Sequence, residues 1–105
     1  MIATDDLHVG DVGTAIVLVV EEGGVPADIA AATALEIHAE KPSGATVKWT
    51  AALDGGGADG RLRYVTQPGD LDEAGYWLLQ AYVELPAWQG HTESVRVKVK
   101  RSITV

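Results

Sequence analysis

Cysteine and phenylalanine are both missing from the 105 residues. The first absence excludes disulfide frameworks, cysteine-based zinc sites and thiol nucleophiles. The second leaves an aliphatic core in which three tryptophans and three tyrosines are the large plugs. Basic residues are scarce, eight against fifteen acidic ones, for a net charge of −7. Such a surface argues against non-specific nucleic-acid binding, which relies on Lys and Arg to release counterions from phosphates. It also argues against docking on anionic membranes. No run reaches the roughly 18–20 apolar residues of a membrane helix, and the longest, residues 15–20, has the length of a buried strand. The opening MIATDDLHVG has neither the basic nor the apolar region of a signal peptide.

What is present is enough apolar material, 47% of the chain, for a core in one domain. The expected unit is a single domain over residues 1–105, with residues 1–8 readable as an extended arm. Turn signals recur at Gly10-Asp11, Glu21-Glu22-Gly23-Gly24, Lys41-Pro42-Ser43-Gly44, Gly55–Gly60, Gln67-Pro68-Gly69-Asp70 and Pro86–Gly90. Between them lie short runs rich in Val, Ile, Thr, Tyr and Trp, the pattern of an all-β sandwich or barrel.

Several runs alternate with a period of two. Leu35, Ile37 and Ala39 oppose Glu36, His38 and Glu40. Val47 and Trp49 oppose Lys48 and Thr50, and Leu62 and Tyr64 oppose Arg61 and Arg63. Val95, Val97 and Val99 oppose Arg96, Lys98 and Lys100. One wet face per strand is the mark of antiparallel sheets. Residues 14–20 and 77–85 are apolar on both faces, which predicts central strands or strands with a covered outer face. Ala27–Ala34 reads as a crossover with room for one helical turn. Pro68–Ala74 reads similarly, with Asp70 as an N-cap and Glu73 three residues on. Gly55–Gly60 reads as a mobile tip, since it lacks the Lys-Ser/Thr of a phosphate loop. The run 92–105 reads as a long edge or near-edge strand, whose Lys100-Arg101-Ser102 step breaks the valine phase.

Residues 69–85, GDLDEAGYWLLQAYVEL, place Gly75 at a corner and Trp77 at the mouth of a strand. Immunoglobulin-like sandwiches set an aromatic after a similar corner. Trp77 and Trp49 are therefore the expected inter-sheet plugs. The order of signals also resembles the N-terminal domain of phage baseplate upper proteins and related immunoglobulin-like phage modules. The matching residues are Gly10-Asp11, Val25-Pro26-Ala27-Asp28-Ile29, Lys41-Pro42-Ser43-Gly44, and Asp70-Leu71-Asp72 with Gly75 and Trp77. The resemblance spans roughly residues 9–105 and rests on turn and core positions. It implies an immunoglobulin-like antiparallel β-sandwich of about 7–8 strands. Baseplate upper proteins carry further domains after this module, so a chain ending at Val105 is expected to be an accessory subunit attached to an assembly.

Chemistry is sparse. His8, His38 and His91 share no ligand spacing, and the carboxylate pairs fall in turns. Asp70–Glu73 lacks the ligand spacing of a calcium loop, and Ser43, Ser94 and Ser102 have no base nearby in sequence. No catalytic, cofactor-binding or metal residue is assigned, and no cofactor is expected. Binding remains. Tyr76, Leu78 and Tyr82 project opposite Trp77, and Trp88 sits on the Pro86–Gly90 loop. These side chains are either scattered apolar surface or a contact patch of aromatics inside a polar rim. Ile103 and Val105 are candidates for strand addition to a neighbouring subunit.

The expectation is a non-enzymatic structural protein of a bacteriophage virion, assembled in the host bacterial cytoplasm. As an accessory tail or baseplate subunit it would bind other phage structural proteins and associate with itself in multiple copies, without nucleic acid or membrane. Capsid decoration is one alternative; a carbohydrate-binding or adhesion module, with Trp88 stacked on sugar, is another.

Overall fold

The computed structural model describes residues 7–103. It is all-β, with no helix among those residues. In chain order the strands are β1 (Leu7–His8), β2 (Ala15–Val19), β3 (Glu21–Glu22), β4 (Val25–Pro26), β5 (Ala34–Glu40) and β6 (Thr46–Thr50). They continue with β7 (Ala52–Leu53), β8 (Arg61–Val65), β9 (Gly75–Leu85), β10 (Trp88–His91) and β11 (Val95–Lys100). The larger sheet runs β1-β11-β9-β5-β6, with β10 also on β9. A smaller sheet runs β2-β8-β7, and β3-β4 form a separate ribbon. All pairings are antiparallel except β1 on β11, where Leu7 faces Val99.

The period-two pattern sorts each strand as the sequence predicts. Leu35, Ile37 and Ala39 from β5, and Trp77, Leu79, Ala81 and Val83 from β9, turn inward. Val97 and Val99 of β11 join them, and Ile16, Leu18 and Leu62 enter the same core from the smaller sheet. Two sheets around one core is the arrangement of a β-sandwich. Trp77 is 1% and Trp49 6% exposed, so both plug the core as expected. At about 25 cal/mol per Å² of apolar surface, each such ring is among the largest single burials available to this chain.

β9 is the central strand of its sheet, flanked by β5 on one side and by β11 and β10 on the other. It thus takes the first of the two expected forms, a central strand, while its outer face leaves Leu78 exposed and Tyr82 half-buried. β2 takes the second of the two expected forms. It pairs with β8 alone among the described strands, yet Val17, on the side opposite Ile16 and Leu18, is also buried. The turn signal at Lys41–Gly44 closes a hairpin between β5 and β6. Lys41 N–H donates to Ala45 O at 2.8 Å and Gly44 N–H to Lys41 O at 2.8 Å.

Several loop readings are corrected. Gly55–Gly60 is not a free tip. Gly57 and Gly60 are buried, Ile29 N–H donates to Gly57 O, and Val20 N–H to Gly60 O. At Gly60, with φ +76°, an added Cβ would lie 2.5 Å from Val20 O and 2.8 Å from Ala27 O. Only glycine lets those backbones cross. Pro68–Ala74 forms no helical turn: Asp70 accepts from Gln67 N–H at 2.7 Å and from the Tyr64 hydroxyl. Glu73 turns away to Ser43, accepting from its N–H at 3.0 Å and its hydroxyl at 2.8 Å. Ala27–Ala34 is the expected crossover into β5; its i to i+3 bond, from Ala32 N–H to Ile29 O, makes a turn and not a helix. Leu7 is buried and paired, so residues 7–8 belong to the sheet; the rest of the expected arm lies outside the described residues.

The C-terminal run is not one long strand. Pairing sums change by one between Trp88↔Leu85 or His91↔Tyr82 and Val95↔Leu79. One extra residue therefore sits at Glu93-Ser94 opposite Gln80, a β-bulge. The bulge divides the return strand into β10 and β11, and β11 ends at Lys100. Trp88, expected on a loop, is instead the first residue of β10, which follows the tight turn at Pro86-Ala87.

Candidate interaction surface

The face of the larger sheet that points away from the core is built by the other half of the same alternation. Cross-strand registers arrange it in rows. Arg96, Leu78 and Glu40 form one row across β11, β9 and β5. Lys98 stands beside Tyr76, and Gln80, His38 and Lys48 form a third row. His91, Tyr82, Glu36 and Thr50 form a fourth. The face is thus basic along β11, aromatic and apolar along β9, and acidic along β5.

Tyr76 and Leu78 are 54% and 40% exposed, large values for such side chains. Arg96 lies over the Tyr76 ring, its guanidinium carbon 4.6 Å from the centroid, and Lys98 sits at 5.9 Å. Cations over a ring face hold the aromatic upright while staying wet. Leu78 borders a shallow groove of about 500 Å³, lined also by His38, Glu40, Thr46, Lys48 and Gln80.

A hydrogen-bonded chain crosses this face, and no local motif announces it. His38 Nε2 meets Glu36 Oε1 at 2.8 Å, and His38 Nδ1 meets His91 Nε2 at 3.2 Å. With His38 neutral, Nε2–H donates to Glu36 and Nδ1 accepts from His91 Nε2–H, which satisfies both contacts. Tyr82 lies against both imidazoles, stacked on His38 with centroids 5.5 Å apart and 5.0 Å from His91. Its phenol is pushed above its ordinary value, by desolvation first and then by the carboxylates of Glu84 and Glu36. The two histidines are 53 residues apart in sequence. The registers β5 on β9 and β10 on β9 bring them to diagonal positions across one strand.

The sequence candidates divide accordingly. Tyr76, Leu78 and Tyr82 share this face, Tyr82 half-buried beneath the imidazoles. Trp88 is not with them. It pairs with Leu85, folds over Gly90, and borders a second groove with Ile29, Glu22 and His91. Ile103 is fully exposed beyond the end of β11, and Val105 lies outside the described residues. Sequence reasoning missed His91, Glu36, Arg96 and Glu40 as members of the patch. The alternation of β5 and β11 signals their side but not their neighbours.

Among the described residues, no group of three or more His, Asp or Glu side chains is arranged to hold a metal ion. What the surface offers chemically is contact: exposed rings, one exposed leucine and opposite charges on opposite flanks. Comparison with protein-family models and with curated proteins finds no match to this chain.

Proposed function

We propose that the chain is a non-enzymatic, immunoglobulin-like interaction module and a structural protein of a bacteriophage virion, serving as an accessory tail or baseplate subunit. The strand order supports the immunoglobulin-like reading. One sheet has β9 between β5 and β11, with β6 beyond β5 and a short parallel β1 beyond β11; the other has β8 between β2 and β7. This order is compatible with the two-sheet Greek key of immunoglobulin domains, and that compatibility supports the reading. The phage context rests on the motif resemblance described above, from Gly10-Asp11 to Trp77.

The observation that carries the binding role is the outer face of the larger sheet. Tyr76 and Leu78 stand exposed there between a basic and an acidic strand. An aromatic centre with a charged rim is the anatomy of a protein contact. Co-sedimentation with phage particles tests it. Wild-type protein is expected to travel with particles, and Leu78→Glu to stay in the supernatant while keeping its circular dichroism. A Leu78→Glu variant that loads onto particles as well as wild type would remove this surface from the reading.

A glycan-binding role has one observation in its favour. Trp88 is 48% exposed beside a groove of about 360 Å³. Quenching of tryptophan fluorescence by oligosaccharides, lost in Trp88→Ala, would favour that reading over the structural one.

A further inference from the structure

The outer face of the larger sheet is self-complementary, and we propose that a second copy of this chain covers it. The two copies are related by a two-fold axis that runs along β9 between the facing sheets. The inference rests on reading this face as a contact surface and names its partner.

Arg96, Leu78 and Glu40 stand in one row, a cation, an apolar side chain and an anion on three adjacent strands. All three side chains are exposed. Adjacent strands lie about 4.8 Å apart, so the charges flank the leucine at nearly equal distances. A two-fold axis along the central strand preserves height along the strand and exchanges left for right. It sets Leu78 on its own copy and Arg96 opposite the second copy's Glu40, twice over. The same operation acts on the row His91, Tyr82, Glu36, in which β10 and β5 again flank β9. It brings His91 opposite the second copy's Glu36, but Tyr82 lies half-buried beneath the imidazoles and both flanking groups are bonded to His38. The Arg96–Leu78–Glu40 row, whose charges are not ion-paired among the described residues, thus carries the match that an isologous contact requires.

The charges are available. Among the described residues neither Arg96 nor Glu40 takes part in an ion pair within the chain. Arg96 lies over Tyr76, and a guanidinium held flat on a ring keeps its N–H edges free for a carboxylate. The reverse juxtaposition, with the faces turned end for end, carries Arg96 away from Glu40 and loses the match. Four strands at about 4.8 Å and seven residues at about 3.3 Å give a face of only about 400 Å², the scale of a weak, reversible contact. Association on this face is therefore concentration-dependent, and it gains strength when many copies sit on one assembly.

Sedimentation velocity of the full chain alone, from about 10 µM to about 1 mM, tests the proposal. Wild type is expected to shift from monomer to dimer over that range. Arg96→Glu and Glu40→Arg are each expected to weaken the dimer about tenfold or more, with unchanged circular dichroism. The double variant R96E/E40R restores the opposite charges and is expected to recover the dimer to within about threefold. A wild type that stays monomeric throughout overturns the proposal. So does a dimer indifferent to both single changes, or a well-folded double variant that does not recover. Particle co-sedimentation of the same proteins separates the two readings. A monomer that Leu78→Glu strips from particles keeps the contact surface and rejects the second copy; a dimer whose variants all load normally does the reverse.

Discussion

Trp49 and Tyr64 stack plane on plane, centroids 4.8 Å apart and rings within 5° of parallel, although one belongs to each of the two larger sheets. Trp77 stands 6.2 Å from Trp49, its ring 27° from parallel, so that Trp49 touches both rings. The two outer members of this trio each end in a polar contact. Trp77 Nε1–H donates to Glu73 O at 3.0 Å, and the Tyr64 hydroxyl donates to Asp70. Both contacts lie in or beside the loop between β8 and β9, so the rings fasten that loop as well as the sheets.

Truncating either tryptophan leaves a cavity that the aliphatic neighbours cannot fill. Trp77→Ala and Trp49→Ala are expected to cost about 3–5 kcal/mol each, read from urea denaturation midpoints at constant slope. Trp77→Phe retains most of the volume but orphans the Glu73 carbonyl, and it should cost less than Trp77→Ala. A Trp77→Ala protein with the wild-type midpoint would falsify the plug assignment.

The Tyr64 phenol is pushed up to about 12, first by burial and then by its hydrogen bond to Asp70 and that carboxylate's charge. Its value in the unfolded chain is about 10. The folded state thus binds the proton more tightly, so its stabilising share is complete below about pH 10 and drains away as pH rises through about 12. In an absorbance titration of tyrosinate, one late step should belong to Tyr64 and vanish in Tyr64→Phe. Tyr64→Phe should also show a shallower loss of stability across that alkaline window. An unchanged late step in the variant would assign it elsewhere.

Two glycines of one loop should behave oppositely. Gly60 is left-handed and its added Cβ meets two backbone oxygens, so Gly60→Ala carries both conformational strain and a clash that no rotamer relieves. The expected cost is above about 2 kcal/mol. Gly56 faces open space, and Gly56→Ala should lie within about 0.5 kcal/mol of wild type or be slightly more stable. Equal melting temperatures for the two variants would mean that the loop does not cross the 20–30 segment as described.

That contrast shows where sequence reading runs out. Leu35, Ile37 and Ala39 declare their strand because burial repeats every second residue, and Trp77 declares its depth because nothing polar accompanies it on that face. Those signals are local. Gly60 is written in the same letters as Gly56, and only the backbone passing behind it separates a packed crossing from a loose tip. The His38–His91 contact depends on two registers across β9, and a shift of one residue in either would send a ring to the opposite face. Asp70 looks like a helix cap because its spacing to Glu73 is right; the competing partner, Tyr64 on β8, decides otherwise.

The bulge at Glu93-Ser94 gives the last prediction, since one side chain holds it. Thr92 faces Ala81, and its N–H donates to Ala81 O at 2.9 Å as a ladder residue should. The return bond goes elsewhere. Ala81 N–H donates to the Thr92 hydroxyl at 3.1 Å, while the Thr92 carbonyl accepts from Gln80 Nε2 at 2.9 Å. The hydroxyl has taken the place of a backbone carbonyl turned out of the ladder, which lets the strand admit one extra residue and re-enter phase at Val95. Ala81 is wholly buried, so water cannot replace a lost partner. Thr92→Val keeps the shape, removes the acceptor and orphans that N–H, at an expected cost of about 1–3 kcal/mol. Thr92→Ser keeps the acceptor and should cost under about 1 kcal/mol. Amide exchange at Ala81 should quicken in the valine variant well beyond its neighbours on β9. If Thr92→Val matches Thr92→Ser in both stability and Ala81 exchange, the hydroxyl does not hold the bulge.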